Sequence, residues 1–271
     1  MSAVLSLSAL RARALLNHHL RDFFYQRQVL EVETPVLSAC YQTPMALSVD
    51  EQSLFLQPLH SRAMLDLIGA GSGAIYQIGK VFRADLVDRR HQHEFSLLQW
   101  CEPAWSLDQV MLDVTALFGA IFAGDIEPDV RSYAQAFRQR LEFDPTMLSV
   151  TDLRIQARRL GLTMSLGDDR QAWLDLLFRH FIEPTLGIES LVYLSELGTE
   201  ASDLEQQRYG LACLDMYMEG IKVGSVLRHM QPDEVGQVTK PSYSIVLGLD
   251  RLLMIMMESR RISQVYSWQE R

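Results

Sequence analysis

Several features that would place this sequence in a familiar class are scarce. Cysteine occurs only at positions 40, 101 and 213, far apart and odd in number, which excludes a disulfide framework and a CxxC metal site. Such sparing use of cysteine predicts a reducing compartment, the cytoplasm. No stretch reaches about 18 uncharged apolar residues, so the sequence predicts neither a membrane span nor a membrane partner. The N-terminal segment also lacks the basic-then-apolar order of a signal peptide.

Basic residues are in the minority as well. The 271 residues include 25 Lys and Arg against 34 Asp and Glu, a formal net charge of −9. Because dedicated nucleic-acid binders usually carry a basic balance or stripe, this composition disfavours that class. The sequence contains no GxGxxG, GxxxxGK[ST] or GxSxG pattern, so no motif supports a Rossmann, P-loop or α/β-hydrolase assignment. With 48% hydrophobic residues, the chain is instead able to bury one large core.

The hydrophobic pattern predicts hairpins mixed with covering helices. Two β-rich runs, 74–84 and 94–103, are joined by a charged connection, and two more, 211–220 and 221–229, meet at a Glu-Gly turn. Residues 130–187 have a helical pattern interrupted by glycines, which predicts a helical insertion. We also expect helices capped by Ser8 and Ser106, a helix over 61–71, and a strand at 244–249 that leads into a last helix. A doubly wound α/β fold would alternate strand and helix regularly, so the pattern predicts an antiparallel sheet in an α+β fold.

The connection between the first two runs is strongly cationic. Beyond Arg83 it carries four further groups that are basic or can become so: Arg89, Arg90, His91 and His93. A loop of this kind, held by two strands, suits a polyanion such as a nucleoside triphosphate, and Phe95 would offer a ring face to a base. The alternative is a solvated hairpin in which Arg83 pairs with Asp85 or Asp88. His91 and His93 belong to no cluster with metal-ligand spacing, so we do not expect them to bind a metal.

The segment GLDRLLM is the second candidate. Gly248 permits close backbone packing, and Arg251 lies in the first turn of an apolar helix. An arginine beside the free N–H groups of a helix can hold a phosphate, although it interacts unfavourably with the helix dipole. The alternative is an ordinary amphipathic helix start.

Together these segments resemble the sequence motifs of a known family. VLEVETPVLS, VFRADLVDRRHQHEFSLLQW and LGLDRLLM are similar, in this order, to motifs 1, 2 and 3 of class II aminoacyl-tRNA synthetases. The similarity is greatest to the lysyl-tRNA synthetase branch and, within it, to the short paralogues that attach β-lysine to elongation factor P. Because the chain begins directly before motif 1, the resemblance implies a single catalytic domain over 1–271. We expect no anticodon-binding domain, and no tRNA partner.

The resemblance implies an ATP-dependent ligase that converts an amino acid, or an analogue of one, to an aminoacyl-adenylate and transfers it to a protein amine. Arg83 would contact the α-phosphate and Arg251 the γ-phosphate, as the two catalytic residues. Phe95 would stack on adenine. The remaining residues of the implied ATP site are Asp85, Arg89, His91 and Gly248. Motif 1, with Pro35, implies a homodimer through residues of about 8–40.

Other positions depart from the family pattern. Ser61 and Gln99 stand where the family has glutamates for its amino-acid substrate, and Cys101 stands where it has tyrosine. In the acidic metal-binding strands, Asp215 stands in for Glu, while Lys222, Ser225 and His229 occupy the two Glu positions and the Asn. A lysine cannot ligate Mg²⁺, although it can neutralise phosphate directly.

Two hypotheses therefore remain open. The first is a ligase related to the elongation factor P enzymes, with an altered acyl substrate and altered metal use. The second is a catalytically inactive paralogue that acts as a ligand sensor or protein-binding module. A true tRNA-charging enzyme is a third reading, which the acidic composition disfavours.

Overall fold

A computed structural model describes residues 4–39, 45–49, 52–84, 87–103, 105–195, 211–229 and 242–269. The helices are α1 (Leu7–Gln26), α2 (Ser61–Gly69), α3 (Leu107–Phe122), α4 (Tyr133–Leu141), α5 (Val150–Arg159), α6 (Arg170–Leu177) and α7 (Leu249–Met256). The strands are β1 (Val4–Leu5), β2 (Leu30–Glu31), β3 (Leu37–Ser38), β4 (Ala46–Val49), β5 (Gln52–Leu56), β6 (Ile75–Phe82), β7 (Glu94–Glu102), β8 (Pro128–Ser132), β9 (Leu191–Ser195), β10 (Leu211–Met218), β11 (Ile221–His229), β12 (Ser242–Gly248) and β13 (Trp268–Gln269). Shorter helical turns cover Pro145–Met147, Phe178–Ile182, Glu183–Thr185 and Ile262–Val265.

An eight-stranded sheet in the order β2-β6-β7-β12-β11-β10-β9-β8 forms the centre of the fold. Its interior pairs are antiparallel, and only the edge pairs, β2 with β6 and β8 with β9, are parallel. This arrangement confirms the α+β class with a mainly antiparallel sheet. The predicted Glu-Gly turn joins β10 to β11, and both Glu219 and Gly220 have positive φ, as a two-residue hairpin turn requires.

Helices α1, α3 and α7 cover one face of the sheet. Alternate residues of β7, Leu98 and Trp100, enter this core, where Trp100 meets Phe24 of α1 with ring centroids 5.0 Å apart. An ion pair between a partly exposed arginine and a buried aspartate ties the layers together. The Arg13 guanidinium lies 2.5 Å from the Asp250 carboxylate, whose other oxygen accepts a hydrogen bond from the backbone N–H of Ser96. The first and last long helices are thereby fixed against β7.

The segment 130–187 is mainly helical, but its first residues are not. Residues 130–132 belong to β8, which pairs in parallel with β9 and forms the sheet edge. The helices beyond it bury Phe137 and Trp173 and pack against Tyr217 of β10. The N-cap of α1 is Ser6 rather than Ser8, because the Ser6 hydroxyl accepts from the Ala9 N–H. No helix in the described ranges is long and apolar enough to cross a membrane.

Candidate active site

The candidate site lies on the sheet face opposite α1, α3 and α7. Since side chains alternate along a strand, Gln99 points away from the core that receives Leu98. Register places Gln99 opposite Val246, Val246 opposite Ser225, and Ser225 opposite Asp215. Cross-strand partners share a face, so these four side chains form one row from β7 to β10.

The hairpin of β6 and β7 positions Arg83 and Phe95. Arg83 follows β6 directly, and its backbone N–H donates to the carbonyl oxygen of His93 at 2.9 Å. The His93 Nδ1 lies 3.1 Å from the Arg83 carbonyl, so the pairing continues beyond the strands. Phe95 is half-buried beside an apolar patch on the site face formed by Val81, Leu97, Leu227 and Val246.

The loop between these strands is held by Asp88. Its carboxylate accepts from the backbone N–H of Arg90 at 2.6 Å and lies 2.8 Å from Nδ1 of His91. Asp88 thus pairs with His91, whereas Asp85, the other partner that the solvated-hairpin alternative gives to Arg83, lies outside the described residues. A cavity of about 310 Å³ opens beside the loop and is lined by Asp88, Arg89, Gln92, Arg261 and Ser263. Asp85, which the resemblance assigns to the ATP site, lies outside the described residues.

Arg251 lies where the sequence predicted it, in the first turn of α7. The N-cap of this helix is Gly248. Its guanidinium donates to the carbonyl oxygens of Lys222 at 2.9 Å and of Arg90 at 3.3 Å. Burial lowers the pKa of Arg251, and although nearby Glu183 opposes this shift, Arg83 and Arg90 add to it. Arg251 contacts the backbone of Arg90, and the charges of Arg83, Arg90, Glu183 and Asp88 all act on its guanidinium.

Glu183 is a member of the site that sequence reasoning missed. It lies in the helical turn Glu183–Thr185 of the insertion, and its Oε1 accepts from Nη1 of Arg90 at 2.9 Å. The two residues are 93 positions apart, and no local pattern marks the pair. The insertion also packs against the site face through Tyr217, whose ring centroid lies 6.0 Å from that of Phe178. The insertion therefore forms one wall of the site.

Asp215 and Lys222 meet across the β10–β11 hairpin. The Lys222 ammonium lies 2.7 Å from one oxygen of the Asp215 carboxylate, and the Ser225 hydroxyl donates to the other at 2.7 Å. A single carboxylate with both oxygens engaged does not fit Mg²⁺, which prefers free oxygen ligands. Within the described ranges, no group of three or more His, Cys, Asp and Glu side chains is placed to hold a metal ion.

His229 is separated from this ion pair and faces β12 instead. Its Nε2 lies 2.7 Å from the hydroxyl oxygen of Ser244, which is paired in register with Cys101 on β7. Burial lowers the pKa of His229 to about 4. Burial likewise raises the pKa of the Cys101 thiol to about 12. These side chains are neutral and buried, so they form neither a reactive thiol nor a set of metal ligands.

Ser61 and Gln99 form a second neutral contact. Both are fully buried, and the Gln99 amide donates to the Ser61 hydroxyl at 2.7 Å while accepting from the backbone N–H of His60 at 3.0 Å. The structure thus brings together the two positions that the resemblance assigns to the amino-acid substrate. They offer no negative charge to a substrate ammonium group.

Pro35 lies in the exposed segment between β2 and β3. Nearby α1 exposes an apolar set on its outer side: Leu7, Leu10, Leu15 and Tyr25. Scattered exposed apolar residues are common, but four on one helix favour a contact surface.

Known proteins resemble this chain over most of its length. A family model described as tRNA synthetases class II (D, K and N) matches residues 5–220. The elongation factor P–(R)-β-lysine ligases of Pectobacterium atrosepticum and Hamiltonella defensa are each 28% identical over 311 residues, covering 97% of this chain and 95% of the relative. The ligase of the same name from Yersinia pestis is 27% identical over 309 residues, covering 94% of this chain and 93% of its own.

Proposed function

Because this chain belongs to the family of class II tRNA synthetases (D, K and N), as its three motifs predicted, we propose that it is an ATP-dependent ligase acting on a protein. The names of its relatives suggest the acceptor, an amine of elongation factor P. The proposal is carried by one observation: Arg83, Arg251 and Phe95 lie around the sheet face that carries Gln99, Ser225 and Asp215.

In the proposed reaction a substrate carboxylate attacks the α-phosphorus of ATP. An acyl-adenylate forms and pyrophosphate leaves; an acceptor amine then attacks the acyl carbon, and AMP leaves with the proton balance completed by solvent. Arg83 neutralises the α-phosphate, and Arg251, fixed by two backbone carbonyls, holds the γ-phosphate. Arg89 and His91 face the outer phosphates, Gly248 lets the nucleotide approach the backbone, and Phe95 stacks on adenine.

The acyl substrate is expected to differ from lysine. A substrate ammonium placed beside Ser61 and Gln99 would be desolvated without a carboxylate partner, which costs several kcal/mol, on the order of 2–5. The substrate that fits this neutral contact is an amino acid or analogue that places no ammonium group beside Ser61 and Gln99.

Pyrophosphate exchange into ATP tests the proposal, with the common amino acids and β-lysine each offered in turn. We expect exchange with at least one substrate whose side chain is uncharged. Arg83→Ala should lower the exchange rate by about 100-fold, because one charge-stabilising donor is lost. Arg62→Ala, on the exposed side of α2, is the matched control and should retain the wild-type rate. Exchange that is unaffected by Arg83→Ala would contradict the assigned role.

The second candidate is a catalytically inactive paralogue that senses a ligand or binds a partner. The neutral Ser61–Gln99 contact and the Asp215–Lys222 pair favour it, since both replace groups on which the family's chemistry depends. Calorimetry distinguishes the two. ATP binding without exchange for any substrate would favour the sensor, whereas exchange would exclude it.

We also propose a homodimer through residues of about 8–40, including Pro35. Leu10→Asp should reduce the mass measured by light scattering to that of one chain, because a charge would be buried in the contact. Leu112→Asp, at a still more exposed position on α3, should leave the dimer intact. A wild-type protein with the mass of one chain would contradict the proposal.

The thiols Cys101 and Cys213 suit the reducing cytoplasm.

A further inference from the structure

Lys222 occupies an unusual position for a basic residue in this protein. Lysine occurs in the sequence only at positions 80, 222 and 240, and the other members of the 25 basic residues are arginines. An ammonium is a compact point charge, whereas a guanidinium spreads its charge over a planar fork. The charge of Lys222 is therefore concentrated at one point, as it is in a small metal ion, and is not spread out as it is in an arginine.

Lys222 is held in place by its side chain and by its backbone. Its Nζ lies 2.7 Å from the Asp215 carboxylate, and that carboxylate is oriented by the Ser225 hydroxyl on its other oxygen. The backbone carbonyl of Lys222 accepts from Arg251, which fixes the residue beside this arginine. The side chain remains 36% exposed, so a ligand on the sheet face is able to reach it.

A divalent cation does not fit at the position that the Lys222 ammonium occupies. A metal ion would have to displace the ammonium from Asp215, and within the described residues Asp215 belongs to no group of three or more His, Cys, Asp and Glu side chains that could hold it. The ammonium already supplies positive charge beside Asp215, and the backbone carbonyl of the same residue contacts the guanidinium of Arg251.

We propose that the ammonium of Lys222, held by Asp215, takes the place of a divalent cation, so that this chain binds the polyphosphate of a nucleotide without metal. The inference rests on the proposed function, because it assumes that a nucleotide binds on this sheet face.

Calorimetric titration of the full chain with ATP, in EDTA and separately in MgCl₂, tests it. We expect ATP to bind in EDTA at least as tightly as in MgCl₂. Binding that requires Mg²⁺ would overturn the inference and leave the proposed function standing. Absence of binding in both buffers would overturn the proposed function, and the inference with it.

Variants at this position supply the second test. Lys222→Met keeps the aliphatic stem and should weaken metal-free ATP binding about tenfold or more, as expected for losing one charged phosphate contact. Lys222→Glu should weaken it further and make binding dependent on Mg²⁺, because two adjacent carboxylates suit the cation. Lys80→Glu, a charge-matched change on the opposite sheet face, should leave both titrations unchanged. Metal-free binding that survives Lys222→Met, in a variant with the wild-type thermal midpoint, would overturn the inference.

Discussion

The buried histidine His229 makes the stability of this protein depend on pH in a defined window. It is 5% exposed, and burial lowers its pKa from 6.5 to about 4. In the unfolded chain the ordinary value returns, so between pH 6.5 and 4 the unfolded state binds more protons. Stability from this group is complete above pH 6.5 and is lost as the pH falls through 4. Between pH 7 and 5 the loss amounts to about 1.8 kcal/mol.

The wild-type curve alone does not isolate this contribution. Burial also lowers the pKa of His60 to about 4, which adds a change of the same sign. Burial raises the pKa of Glu102 to about 7, so that group binds a proton more readily in the folded state and stabilises it as the pH falls. The measurement is therefore the difference between the wild type and His229→Gln, whose amide is able to bond the Ser244 hydroxyl without titrating.

Urea unfolding followed by tryptophan fluorescence at pH 7, 6 and 5 gives the free energy of unfolding of each protein. The advantage of the wild type over His229→Gln should shrink by about 1.8 kcal/mol between pH 7 and 5. His18→Gln, at an exposed histidine on α1, serves as the control and should follow the wild type. A difference between wild type and His229→Gln that stays constant across this range would refute the burial of a neutral imidazole.

Two further predictions concern packing. Asp250→Asn should lower the free energy of unfolding by about 3 kcal/mol in the same urea assay, because it removes the negative charge of the buried partner of the Arg13 guanidinium; a change below 1 kcal/mol would contradict this role. Gly224→Ala would place a Cβ 2.1 Å from the Val246 carbonyl oxygen and should cost about 2 kcal/mol or more, whereas Gly69→Ala, with open space around it, should be neutral or slightly stabilising. Equal effects of the two alanines would show that β11 and β12 are less closely packed than described.

The sequence alone predicted the elements and the family because both depend on local patterns. β-rich runs mark β6 and β7, capping marks α3, and the three motifs are contiguous segments. The parallel edge strand β8 was not predicted, because its partner β9 lies about 60 residues away and nothing local specifies the pairing.

Tertiary structure determines which charged groups of the site pair with one another. A regular hairpin with its turn at 219–220 would set Asp215 opposite Gly224, but a bulge near Met216 sets it opposite Ser225, which orients the carboxylate toward Lys222. The pairing of Arg90 with Glu183 likewise depends on how the insertion folds back onto the sheet. Residue types, and so the available charges, are fixed by the sequence. Which charges neutralise one another depends on register and long-range packing, because electrostatic contacts act over a few ångströms of space and not along the chain.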